Sequence, residues 1–134
     1  MSKTKLNLTL GILTLLVFAV ISVVKADIFD DIALAIKSGN CKDVAKYFGT
    51  RVELKIDDVE NIYSKAQAEM ILKNFFNENP PVNFSIKHRG ASEKGLPYII
   101  GYLQTTTGKY RTYFLFKEIE GKLYIQELQF EKEN

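Results

Sequence analysis

At 134 residues and 15.3 kDa, the chain has room for one hydrophobic core and not for a second. Its composition, 46% hydrophobic and 25% charged, is that of a folded globular protein and excludes collagen-like, low-complexity and wholly disordered classes. The formal charge of +2 is uneven: Lys3, Lys5 and Lys25 lie in an acid-free stretch, and the remainder, fifteen positive charges against sixteen negative, lacks the basic stripe of a nucleic-acid binder.

The first segment reads as an address. Two lysines in residues 1–5 precede an uncharged apolar run over residues 8–24, and Val24-Lys25-Ala26 offers small residues for cleavage. That is the pattern of a secretory signal peptide over residues 1–26, with cleavage after Ala26 and a periplasmic or extracellular destination. An uncleaved anchor is the rival, and would be the chain's one route to a membrane. Seventeen uncharged residues interrupted by Thr9, Thr14 and Ser22 are at the short limit for it. No cysteine follows the run directly, so no lipid attachment site is implied.

Residues 27–134 form the single working domain. Asp27 can cap a helix in which Ile28, Phe29, Ile32, Ala33, Ala35 and Ile36 recur at helical spacing. Gly39 stops it, and a second short helix is predicted from Lys42 to Tyr47, closed by Gly49. Val52, Leu54 and Ile56 then alternate with charged residues as a half-buried strand. Asp57-Asp58 turns the chain into a short return over residues 61–63. Ser64 and Gln67 form a capping box at the head of a third helix, whose apolar stripe is Ala68, Ile71, Leu72, Phe75 and Phe76. Pro80 and Pro81 end it. Four strands follow, near residues 84–89, 98–106, 110–117 and 123–130, joined mostly by tight turns. In the last, Leu123 and Ile125 fall on one face and Leu128 and Phe130 on the other, which a bulge near Gln126-Glu127 would reconcile. Segregated helices and hairpin strands indicate an α+β fold in the order α-α-β-β-α-β-β-β-β, with a mostly antiparallel sheet.

This order resembles the nuclear transport factor 2-like (NTF2-like) fold, a cone in which a strongly curved sheet wraps around helices. The resemblance is closer to DUF4783, a family of small exported Bacteroidetes proteins of unknown function. It rests on Asp27-Ile28-Phe29-Asp30-Asp31-Ile32, Ile36-Lys37-Ser38-Gly39-Asn40, Tyr63-Ser64-Lys65-Ala66-Gln67-Ala68-Glu69, Phe75-Phe76, Asn79-Pro80-Pro81, Tyr113-Phe114-Leu115 and Ile125-Gln126-Glu127-Leu128. It implies fold and brings no assigned reaction.

No catalytic constellation stands out. His88, the single histidine, is predicted to share an inward strand face with Phe84 and Ile86, as a core or pocket-wall residue rather than a base. One histidine and one cysteine exclude a metal site built from those ligands, and Asp30-Asp31 and Asp57-Asp58 lack the spacing of a calcium loop. Cys41, without a local motif, reads as buried or half-buried, or as a pairing residue between chains. No cofactor is implied. The late strands concentrate tyrosine: Tyr98 and Tyr102 share one face of their strand, and Arg111 and Tyr113 one face of the next. Facing the third helix, these groups would line an amphipathic pocket for a small ligand; facing away, they would pack across strands with hydroxyls in water. With His88, and with Glu127 as the carboxylate beside the bulge, they make the candidate pocket set. The expectation is non-catalytic binding of a small ligand, peptide or partner protein. The alternatives are an isomerase- or hydrolase-type enzyme with a pocket His and Tyr, and a homodimer-forming structural module.

Overall fold

The computed structural model describes residues 28–134, so the predicted signal segment and its cleavage point lie outside the described residues. Helical backbone runs over residues 28–37 (α1), where Ile32, Ala35 and Ile36 are buried. Gly39, at φ 68°, ends it in the left-handed conformation that a missing Cβ permits. The second helix, α2 (Cys41–Ala45), starts one residue earlier than its sequence suggests. The Asn40 side chain accepts a hydrogen bond from the Asp43 N–H at 3.1 Å and so caps it. It also ends earlier, because Phe48 and Gly49 already belong to β1 (Phe48–Ile56). Among the described residues no helix is long and apolar enough to cross a membrane.

Strand β1 buries Val52 and Leu54 on one face and hairpins into β2 (Val59–Ser64), in unbroken register from Arg51 opposite Ser64 to Ile56 opposite Val59. Asp57 makes the turn at φ 51° and ties it to the C-terminal strand. Its N–H donates to the Phe130 carbonyl at 2.8 Å, and its carboxylate accepts from the Lys132 N–H at 2.9 Å. The third helix, α3 (Lys65–Glu78), opens with the predicted capping box. Ser64 Oγ accepts from the Gln67 N–H and Gln67 Oε1 from the Ser64 N–H, both at 3.2 Å. Ala68, Leu72, Phe75 and Phe76 form its buried stripe.

The remaining strands are β3 (Pro81–Ala91), β4 (Pro97–Thr105), β5 (Gly108–Ile119) and β6 (Lys122–Lys132). All six strands form one mixed sheet in the order β2-β1-β6-β5-β4-β3. Every neighbouring pair is antiparallel except β1 with β6, which run parallel and join the first hairpin to the later meander. Ile32–Asn134 form one compact unit. The class is α+β.

Two irregularities decide which side chains face the core. In β6 the register passes from Phe116 opposite Ile125 to Leu115 opposite Glu127, so Gln126 is an extra residue. The bulge turns Ile125, Leu128 and Phe130 to one face, where all three are fully buried, while Leu123 stays half-buried. In β3 the register passes from Ile86 opposite Gly101 to His88 opposite Ile100, so Lys87 is extra. This second bulge corrects the sequence reading of His88: the residue leaves the face of Phe84 and is exposed.

The core lies between α3 and one sheet face. Phe75 packs on Phe130 and Tyr110, with ring centroids 4.7 and 5.1 Å apart, and Phe76 packs on Phe130 at 6.3 Å. Ile99, Leu103, Thr112, Phe114 and Phe116 continue the same buried face across β4 and β5. Gly101 sits among them because a Cβ there would come within 2.6 Å of the Phe84 ring and of the Ser85 carbonyl oxygen.

Candidate functional site

All six candidate residues, His88, Tyr98, Tyr102, Arg111, Tyr113 and Glu127, lie on the other face of the sheet, away from α3. Strand alternation forces this. Phe114, Ile99 and Leu103 are buried toward the helix, so Tyr113, Tyr98 and Tyr102 between or beside them point the opposite way. Of the two placements left open by the sequence, the tyrosines take the outward one. The side toward α3 is filled by phenylalanine and aliphatic side chains, and the tyrosines pack across strands on the opposite surface.

Registers place these groups in two adjoining rows. One crosses Ile62, Glu53, Glu127, Leu115, Tyr98 and Gly90, from β2 to β3. The next crosses Glu60, Lys55, Gln129, Tyr113, Ile100 and His88. Tyr102 and Arg111 are a cross-strand pair one step beyond. The Tyr98 ring lies over Gly90, where a Cβ would meet it at 2.7 Å, so the glycine makes room for the aromatic. Its hydroxyl is 3.0 Å from His88 Nε2, and its ring centroid is 5.9 Å from that of Tyr113. Lys109 Nζ stands 4.4 Å above the Tyr102 ring, a cation–π contact. Gln129 donates to Glu127 Oε1.

The electrostatics differ along the rows. Burial, then the negative charge of Glu127, raise the Tyr113 hydroxyl above its ordinary value, against a lowering by Arg111. At the β1–β2 end, Glu53 is held above the ordinary carboxylate value. The main cause is a hydrogen bond with Glu60, followed by burial and by the charges of Glu127 and Glu60. Glu53 and Glu60 are the functional candidates missed at the sequence level. Alternation with Val52 and Leu54 marked Glu53 as outward-facing, but its meeting with Glu127 depends on the parallel β1–β6 pairing, which no local pattern announces.

His88 on β3 and Glu127 on β6 are three strand spacings apart, roughly 14 Å between backbones at about 4.8 Å per strand, with Tyr98 and Tyr113 on the strands between them. Cys41 is half-buried at the start of α2. Among the described residues no group of three or more His, Cys, Asp or Glu is placed to hold a metal ion.

The family described as "Domain of unknown function (DUF4783)" matches residues 29–131. The chain belongs to the DUF4783 family. A DUF4783 protein from Bacteroides uniformis is 26% identical over 80% of this chain and 98% of that one, with a TM-score of 0.75. One from Bacteroides fragilis is 28% identical over 77% and 96%, with a TM-score of 0.72. At 9% identity, a domain of unknown function with a cystatin-like fold from Nostoc punctiforme covers 84% of this chain and 76% of its own, at TM-score 0.63, and so shows fold alone. The DUF4783 chain thus has an architecture similar to NTF2-like and cystatin-like folds. No curated protein matches it.

Proposed function

We propose that this DUF4783 protein is an exported, non-catalytic binding module that holds a partner protein against the tyrosine-bearing sheet face. One observation carries the reading: Tyr98, Tyr102 and Tyr113, with Ile100 and Leu115, lie half-buried side by side on the face away from α3. Tyrosine and aliphatic groups at the centre, with Arg111, Lys55, Gln129 and Glu127 around them, have the composition of interface centres and rims. A face made by three neighbouring strands suits a broad protein surface better than a small molecule, which needs most of its area enclosed. Export rests on the positive start and apolar run of residues 1–26.

A photoreactive phenylalanine analogue at Tyr113, compared with one at the exposed Lys73 of α3, tests the reading in the producing cell. A discrete adduct at position 113 alone, lost when Tyr98→Asp is added, is the expected result. An adduct of twice the chain mass would identify a second copy as the partner. Equal, diffuse labelling at both positions would sink the proposal.

A further inference from the structure

The sheet has two edges, and the chain treats them differently. Edge strand β3 carries Pro81, two register breaks and the cationic Lys87 and Arg89, the devices by which proteins keep foreign strands from pairing. Edge strand β2 carries none of them. Its sequence, Val-Glu-Asn-Ile-Tyr-Ser, has no Pro, Gly or Lys and pairs with β1 through all six residues without a break. Among the described residues β1 is its one strand neighbour, so alternate backbone N–H and C=O groups of β2 point away from the sheet. Val59 and Ile62 stand 67% and 57% exposed on it.

The two flanks of this edge are chemically distinct. On the helix side, Tyr63 of β2 and Ala66, Gln67, Met70 and Ile71 of α3 line an apolar cleft of about 380 Å³. Met70 is 56% exposed there. On the opposite side Glu60 is the outermost charge. In register it faces Lys55, with Glu53 one diagonal step away and Glu127 opposite Glu53, so three carboxylates share this end of the face with that one lysine.

We propose that β2 takes an extended segment of a partner protein as a seventh strand, with alternate side chains apolar toward the Met70 cleft and cationic toward Glu60. Backbone pairing supplies the attachment and the two flanks supply the selection, the mode of β-strand addition. Charge complementarity decides the outer residue: Lys or Arg relieves the crowded carboxylates, and Asp or Glu adds to them. The outer flank adjoins the tyrosine face through Glu127 and Lys55, but the backbone pairing lies at the sheet edge, and the inference stands without that reading.

The probe is a blocked seven-residue peptide alternating Val and Lys, set against the same peptide with Glu in place of Lys, and followed by amide NMR on the whole protein. Expected are shifts confined to β2 and the first turns of α3, and slowed exchange at every second β2 amide. Glu60→Lys weakens the lysine peptide roughly tenfold and reverses the preference, and Met70→Glu weakens both peptides about tenfold. Both positions are exposed, so the fold survives either change. The inference fails if millimolar lysine peptide leaves β2 unmoved, if both peptides bind alike, or if the shifts fall on Tyr98 and Tyr113. It fails too if light scattering shows a dimer with β2 already protected before peptide is added, because a second copy would then hold the edge.

Discussion

Glu53 shows how one residue can set a pH response. Its carboxyl is raised above the ordinary 4.5, chiefly by the hydrogen bond its protonated form donates to Glu60. A group with a folded-state pKa above its unfolded one favours the fold in its protonated form. Its contribution is present below about pH 4.5 and is lost as pH rises through the raised value. Glu53→Gln keeps a donor for Glu60 and removes the charge that Glu127 and Glu60 repel. Solvent screening limits the gain to about 0.5 kcal/mol, or roughly 2–3 °C in a domain of this size. Melting curves at pH 8 and pH 4 check this: the variant should melt higher at pH 8 and with the wild type at pH 4. An equal difference at both pH values would show that Glu60 and Glu127 do not act on Glu53. His88 teaches a related lesson about single residues. Its strand alternates Phe84, Ile86, His88 without a flaw, and the extra Lys87 is exposed, so nothing in the hydrophobic pattern betrayed the bulge that turned His88 outward.

At the scale of elements, what was legible was what is chemically local. The capping box of α3 involves residues three apart and backbone atoms one turn long, so Ser64 and Gln67 announced it. The β6 bulge was legible because the core-facing pattern switches parity between Ile125 and Leu128, which only an extra residue reconciles. The end of α2 is ambiguous in the local pattern because Phe48 satisfies a helical spacing and a strand equally well. Its pairing with Ile125 on β6, 77 positions later, decides for the strand. The α3 cap matters beyond its own helix, since Ser64 is also the last residue of β2 and fixes the turn from sheet to core. Ser64→Ala leaves the Gln67 N–H without its acceptor and should cost about 1 kcal/mol. Chemical denaturation should show the midpoint fall at unchanged slope, with most of the loss recovered in Ser64→Asp. A variant as stable as the wild type would mean that water replaces the cap at no cost.

For the whole molecule, β6 is the element that makes one fold out of two hairpin systems. It is the last strand of the chain and lies between β1 and β5, joining β2-β1 to β5-β4-β3. Nothing in its own residues foretold that position, because the parallel partner is separated from it by most of the chain. Phe130 is its centre of load. Fully buried, it pairs with Ile56 and Thr112 on either side and packs on Phe75 and Phe76 of α3. Its carbonyl also accepts the Asp57 N–H that holds the first hairpin turn. Truncation to alanine removes the ring between all three bodies at once, and a buried Phe→Ala change costs about 3–5 kcal/mol. Against a total of roughly 5–15 kcal/mol, Phe130→Ala should take away a large share of the stability. Because α3 and both hairpin systems meet at this residue, the loss should appear as one cooperative transition moved to lower denaturant, with fluorescence and far-UV circular dichroism still coincident. Two separated transitions, one for each hairpin system, would instead show that β6 only borders two independent folding units.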